Sequence, residues 1–469
     1  MKKLFALSAT LILISCTRPA VTIITSTNDQ PWTTINDYKT GSTFPDSCLS
    51  FTIDTTRKLQ QIDAFGGCLN ELGWDALNLL DTATRNSILK EFFQPEVGFN
   101  FNYCRLPIGA NDYARDWYSL NDSAGDFEMK HFNIERDKKI LIPYIKSTIQ
   151  YNPALRFWGS PWSPPTWMKF NNHYACATDE QYNDLKKNAN GHEGTNMFIM
   201  QEKYLKAYAL YFTKYIEAYS KEGINVDAVH VQNEFNSCQK FPSCTWKAEG
   251  LRNFIGTYLG PEFEKQNLKT QIWLGTIERG NVALIDTILQ DSLCKKYIKG
   301  MGFQWAGRDA IAAAHTRYPD VKCMQSESEC GDGSNDWKAA IHTWELIRHY
   351  FNSGANSYMY WNLILKKDGL SRWGWKQNAL ISVDTVSRKA LYNPEFYLFK
   401  HLCHFVKPGA HLISVDHAKS DVLAFQNADG HVVILISNQT DKDETVRMNV
   451  EGRGIEAVIK AGSFSTIVF

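Results

Sequence analysis

Ala228-Val229-His230-Val231-Gln232-Asn233-Glu234 reads as a short buried strand that runs out into a carboxylic acid. Val321-Lys322-Cys323-Met324-Gln325-Ser326-Glu327-Ser328-Glu329 repeats the pattern further on. Short apolar runs of this kind fit strands buried on both faces. Six more occur: Ile62-Asp63-Ala64-Phe65-Gly66, Tyr103-Cys104-Arg105-Leu106-Pro107, Leu155-Arg156-Phe157-Trp158-Gly159, Gln271-Ile272-Trp273-Leu274-Gly275, Gly302-Phe303-Gln304-Trp305 and Tyr358-Met359-Tyr360-Trp361. Between them lie longer stretches with helical spacing, such as residues 196–223, where Met200, Tyr204, Ala207, Tyr208 and Tyr211 recur. Eight strand–helix repeats in roughly 330 residues is the count of a (β/α)8 barrel with insertions.

Glu234 and Glu327 are three repeat units apart at roughly 31 residues per unit, as in a barrel of about 250 residues. Counted along the chain, Glu234 closes the fourth strand and Glu327 the seventh. Active sites of this fold lie at the C-terminal strand ends, so both acids fall on the catalytic face. Two carboxyls facing each other across a sugar are what glycoside hydrolysis needs, one as acid and the other as nucleophile or base. Glu329, two residues beyond Glu327, would point to the same face on a continuing strand. The residues alone leave either as the partner of Glu234.

After Pro408 the pattern changes to short β runs: Val422-Leu423-Ala424-Phe425, Val432-Val433-Ile434-Leu435-Ile436 and Ser463-Phe464-Ser465-Thr466-Ile467-Val468. Turn signals Asn427-Ala428-Asp429-Gly430 and Glu451-Gly452-Arg453-Gly454 separate them. Residues 21–60 also read as strands and loops, too few to bury their own core. The expected architecture is α/β: a (β/α)8 TIM barrel over residues 61–405 and a side β-sandwich. The sandwich takes residues 406–469 from the C-terminus and residues 21–60 from the N-terminus.

Residues 1–16 read as a processing signal. Lys2-Lys3 give the positive start, Leu4 to Ile14 an apolar stretch too short to span a membrane, and Leu13-Ile14-Ser15-Cys16 a lipobox-like end. The pattern marks an exported lipoprotein, lipidated on Cys16 and anchored at the periplasmic or outer-membrane face.

Composition narrows the function classes. The 469 residues carry 50 Lys+Arg and 50 Asp+Glu, so no basic excess points to nucleic acid. Most of the 14 Trp and 21 Tyr belong to the core, but flat rings also stack on sugar faces. The 12 histidines show no His-x-His or His-Glu-x-x-His spacing, and neither a metal nor another cofactor is expected. None of the 11 cysteines forms a Cys-x-x-Cys pair. Cys68, Cys104 and Cys323 sit in apolar runs as small core residues, while Cys238 and Cys244 share one loop that an oxidising compartment would permit to close.

Several segments, taken in order, resemble one family. They are Gln61-Ile62-Asp63-Ala64-Phe65-Gly66-Gly67, Arg105-Leu106-Pro107-Ile108-Gly109 with Asp112, and Ser160-Pro161-Trp162-Ser163-Pro164-Pro165-Thr166-Trp167-Met168-Lys169. Val231-Gln232-Asn233-Glu234, the Ser-Glu region at 326–329 and Tyr360-Trp361-Asn362 follow. Together they resemble glycoside hydrolase family 30, the glucosylceramidase-like retaining β-glycosidases, from about residue 60 onward. The resemblance implies Glu234 as general acid/base and favours Glu327 over Glu329 as nucleophile. It implies Arg105 as the group stabilising the nucleophile's charge, and Asn233 as a donor to the sugar 2-hydroxyl. Asp112 and Trp162 match positions that read other hydroxyls, Trp361 an aromatic platform under the ring, and Trp305 a family aromatic or histidine site. Two departures stand out. Gln304 occupies the place of a glucosylceramidase histidine, and residues 236–244 form a loop that could close one side of the pocket.

A retaining β-glycosidase acting on a β-linked glucoside is therefore expected. Endo-β-1,6-glucanase, β-xylosidase and β-fucosidase activities stand as alternatives within the family. A glycan-binding lipoprotein without catalysis would need neither the paired acids nor Arg105. For the anchor, Cys16→Ala should move the protein from the membrane to the soluble fraction; a variant that stays membrane-bound would contradict lipidation.

Overall fold

The computed structural model describes residues 21–416 and 421–469; the signal segment and Cys16 lie outside the described residues. The eight apolar runs are the strands of a closed parallel barrel. They are β1 (Ala64–Cys68), β2 (Tyr103–Pro107), β3 (Arg156–Ser160), β4 (Val226–His230), β5 (Gln271–Ile277), β6 (Ile298–Gln304), β7 (Lys322–Glu327) and β8 (Ser357–Asn362). They pair in chain order, and β8 closes on β1 through Ser357↔Ala64, Tyr358↔Phe65 and Met359↔Gly66. Helices cover the outside, which is why both strand faces are apolar. The helix Trp337–Asn352 shows how local sequence fixes such an element. Asp336 caps it by accepting from Ala339 N, and Ala340, Trp344, Ile347 and Phe351 bury one face at spacings of three and four.

The barrel is packed rather than hollow. Ala64, Tyr103, Trp158, Ala228, Trp273, Met324 and Met359 form one buried cluster, contributed by seven of the eight strands. Two residues further along their strands, Arg105, Ser160 and Trp361 share the same inward alternation and form the layer above. Glycines make room for the rings. A Cβ at Gly300 would lie 2.3 Å from the Trp273 ring, and one at Gly302 2.5 Å from His230. At Gly66 it would lie 1.7 Å from the Tyr103 carbonyl oxygen, on the neighbouring strand.

The second unit is a two-sheet β-sandwich. Its seven-stranded sheet runs in the order Thr33–Thr34, Thr22–Thr27, Ser463–Val468, Val432–Asn438, Val422–Gln426, His411–Asp416, Thr52–Gln61. The other sheet holds Glu444–Val450, Arg453–Ile459 and Tyr38–Gly41. Both N-terminal and C-terminal strands thus build it. Glu451 and Gly452, both at positive φ, form the two-residue turn that joins Glu444–Val450 to Arg453–Ile459. Ile23, Ile53, Ile434, Val446, Met448, Ile455 and Ile467 fill the space between the sheets. Buried His401, on the helix Pro394–Cys403, bonds Thr466 Oγ1 at 2.8 Å and Ser26 Oγ at 2.9 Å, tying both chain ends to the barrel side.

Because a strand of a closed barrel cannot shift without its neighbours, Gly66→Ala should destabilise the protein by at least ~2 kcal/mol. A clearly lower melting temperature is expected; an unchanged one would mean that β1 and β2 do not approach so closely.

Candidate active site

Two acids meet at the C-terminal end of the barrel. Glu327 is the last residue of β7. Glu234 stands four residues beyond the end of β4, in a turn, with φ of 47°. The expectation that it ends the strand itself is corrected accordingly. Its backbone is held there by Glu234 N donating to Thr276 O at 3.1 Å, after Asn233 N donates to Pro161 O at 2.8 Å. A left-handed non-glycine residue costs of order 1–3 kcal/mol, a strain that concentrates at functional sites. Trp305, directly after β6, has the same φ of 47°.

Gln304 joins the two acids. A register shift between Phe303 and Gln304 pairs Gln304 with Glu327 rather than with Ser326. Its Nε2 donates to Glu234 Oε1 at 2.9 Å and to Glu327 Oε2 at 3.2 Å, while its Oε1 accepts from Ser326 Oγ. Oxygens sharing one donor at such lengths are no more than about 6 Å apart, which is compatible with the ~5–5.5 Å carboxyl separation of retaining glycosidases.

The acids differ in their charge environment. Arg105, without exposed surface, donates from Nη1 to Glu327 Oε2 at 2.6 Å. Its Nη2 donates to Asn233 Oδ1 at 2.7 Å, and Ser160 Oγ accepts from both Nε and Nη2. Three indole rings surround the guanidinium, with Trp162 nearest at 4.3 Å. Glu234 has no such cation in contact. Burial pushes both acids above the usual carboxylate range, and at Glu327 the Arg105 charge opposes it. With one proton between them, the charge belongs on Glu327 and the proton on Glu234.

The pocket above them is lined by Asp112, Trp162, Asn233 and Trp305, as the sequence suggested, together with residues it did not single out. Asn233 Oδ1 accepts from Arg105, Thr276 Oγ1 and Gln304, which turns its NH2 group toward the pocket. Asp112 keeps one buried carboxyl oxygen without a protein partner. Arg105 sits below the acids, in contact with Glu327. One assignment changes. Trp361 is wholly buried, stacked behind Trp162 at 5.4 Å, and backs that ring instead of presenting a platform of its own.

Glu329 is elsewhere. The strand ends at Glu327, and Glu329 turns outward to Arg308 Nη1 at 2.6 Å and His342 Nε2 at 3.0 Å. Those partners outweigh partial burial and hold its carboxyl below the ordinary range. A third glutamate does face the pocket: Glu278, directly after β5. Its Oε1 accepts from Asn236 N at 2.8 Å, its Oε2 has no hydrogen-bond partner, and burial, with the Glu234 carboxyl beside it, raises it to about 8. At the mouth Phe241 and Trp375 face each other at 6.3 Å, the latter 37% exposed. Among the described residues, no group of His, Cys, Asp and Glu has the arrangement of a metal site.

Residues 62–406 match the model of the glycosyl hydrolase family 30 TIM-barrel domain, and residues 409–467 that of its β-sandwich domain. The chain belongs to glycoside hydrolase family 30. It is 31% identical over 421 residues to a putative glucosylceramidase 1 of Caenorhabditis elegans, covering 85% of this chain and 77% of that protein. An endo-1,6-β-D-glucanase of Neurospora crassa is 26% identical over 430 residues, 85% of this chain and 84% of the relative. The crystal structure of SrfJ from Salmonella typhimurium shares the fold with a TM-score of 0.85 at 24% identity, over 96% of this chain and 99% of that one. The enzyme is thus a family 30 glycoside hydrolase, and the acids at its barrel mouth are set for β-glycoside cleavage with retention.

Replacing Arg105 tests the division of charge. Arg105→Met leaves the Glu327 carboxylate without its cation, so its pKa rises. The acid limb of the pH profile of kcat/KM should move up by about 1–3 units. An unmoved limb would separate Arg105 from the ionisation of Glu327.

Proposed function

We propose that this enzyme hydrolyses β-glucosidic bonds by double displacement, with glucose in the pocket. Glu234 acts as general acid/base and Glu327 as nucleophile. The observation that carries this reading is the asymmetry of the pair: Arg105 on Glu327, no contacting cation on Glu234, and one Gln304 amide bonded to both. In the first step the Glu327 carboxylate attacks the anomeric carbon while Glu234 gives its proton to the departing oxygen. Glu234 then removes a proton from water, which displaces Glu327 and restores the original anomeric configuration. Asn233, with its NH2 turned to the pocket, supports a bond to the sugar 2-hydroxyl. Asp112 offers its unpaired oxygen to another hydroxyl, and Trp162 supplies a flat face.

A second reading, endo-β-1,6-glucanase, is favoured by Trp375, which packs against Phe241 and offers an exposed aromatic ring to a further sugar beyond the pocket. The relative named as an endo-1,6-glucanase agrees with it. For location we keep the lipoprotein reading of residues 1–16, with the enzyme at the periplasmic or outer-membrane face. Among the described residues no helix is long and apolar enough to cross a membrane.

A 2-fluoro-glucoside with a good leaving group should label Glu327; a label on Glu329 would overturn the assignment. Glu234→Gln should slow alkyl glucosides by roughly 10²–10⁴-fold while leaving the first step on activated aryl glucosides nearly unchanged. Equal losses on both substrates would remove Glu234 from the acid role. Rates on aryl glucoside, xyloside and fucoside and on β-1,6-glucan would rank the sugars.

A further inference from the structure

Behind the pocket wall, two loops bring a pair of thiols together. Cys176 lies in the loop after β3 and Cys238 in the loop after β4. Their backbones run side by side, with Cys176 N and Ala177 N both donating to Gln239 O, at 3.0 and 2.9 Å. Ser243 Oγ accepts from Cys176 N at 3.2 Å and from Gln239 N at 3.1 Å. Gly191 brackets both sulfurs: its carbonyl accepts from the Cys238 thiol at 3.2 Å, and a Cβ built on it would lie 3.4 Å from Cys176 Sγ. The Cys176 thiol donates to the Ser243 carbonyl at 3.3 Å, on the loop that carries Cys238. The pairing within one loop, Cys238 with Cys244, is not what the structure favours. Cys244 is buried, and its thiol bonds the Thr245 carbonyl.

We propose that Cys176 and Cys238 are a disulfide site, and that the bond staples these two loops together. Ser237, Gln239 and Phe241, which flank Cys238, line the pocket, so the staple holds the wall beside the acids. The bond forms by exchange with an external disulfide of the glutathione or thioredoxin-fold oxidase class. Cys238 is half-buried where Cys176 is buried, so it is the sulfur an external disulfide can reach; it loses its proton and attacks, forming a mixed disulfide and releasing one external thiolate. Cys176 then attacks the Cys238 sulfur, closing the internal bond and expelling the second thiolate. Two protein thiols are oxidised, two protons leave, and the external disulfide takes up two electrons. In the mixed disulfide the Lys169 ammonium still favours the Cys176 thiolate against burial, which suits the resolving step. Lys169 is itself fixed by the carbonyls of Tyr174, Ala175 and Ser243, in the same two loops.

The test uses the full-length enzyme incubated with oxidised glutathione, then denatured in iodoacetamide and digested without reduction. Mass spectrometry should find the Cys176 and Cys238 peptides joined and two hydrogens lighter than their sum. Alkylation of both cysteines, or a Cys238–Cys244 link, would overturn the proposal. Dithiothreitol should lower the melting temperature of the oxidised enzyme by roughly 3–8 °C and raise KM more than it lowers kcat. The Cys176→Ala/Cys238→Ala double variant should be indifferent to dithiothreitol. If it responds as the parent enzyme does, the effect belongs to other cysteines and the staple is refuted.

Discussion

A guanidinium with no exposed surface must find its counter-charge inside the protein, and Arg105 finds it in Glu327. Breaking such a buried pair by removing one partner costs several kcal/mol, so each group constrains the other. Arg105 also donates to Ser160 at the end of β3 and to Asn233 beyond β4, so four parts of the barrel rim meet at one side chain. Trp158, Trp162 and Trp361 close over its faces and exclude water from the charge. The ionised acid, the oriented asparagine and the depth of the pocket floor all follow from this one neutralised cation.

The barrel was legible because parallel strands covered on both faces read as unbroken apolar runs, and all eight runs became strands. The paired acids were legible because this fold carries its chemistry at the strand ends. Depth was not. Trp361 lies in the same kind of run as a surface-facing ring would, and only packing against Trp162 puts it one layer down. Glu329 looked equivalent to Glu327 until the strand's end removed the alternation on which that equivalence rested. Gln304 took its place between the acids through a register shift, which leaves no mark in composition. Glu278, by contrast, did carry a signal: it follows Ile277 at the end of an apolar run, as Glu327 follows Ser326. In the sandwich, Glu444–Val450 and Arg453–Ile459 escaped notice because their polar outer positions break up the runs, though Val446, Met448 and Val450 alternate regularly.

Two further carboxyls share the site with the catalytic pair, and burial drives both toward the neutral form. Asp112 and Glu278 each compete with Glu234 for a proton, and Asp112 also feels the charge of Glu327. A pocket holding four acids, with Arg105 on Glu327 and Arg279 3.9 Å from Glu278, cannot ionise them all in a low dielectric. The proton that Glu234 keeps therefore reflects the whole cluster as well as its own burial.

The pairing of Thr22–Thr27 with Ser463–Val468 sets an order of assembly. The barrel is a continuous stretch of chain and can close as soon as its eighth strand exists. The first strand of the sandwich has to wait for the last residues to be made. Until then its buried side chains, Ile23 on one face and Ile24 on the other, have no lasting partner, and such unpaired strands invite association with other chains. The half-finished protein is thus most vulnerable at Thr22–Thr27, and its release from that state is timed by Ser463–Val468.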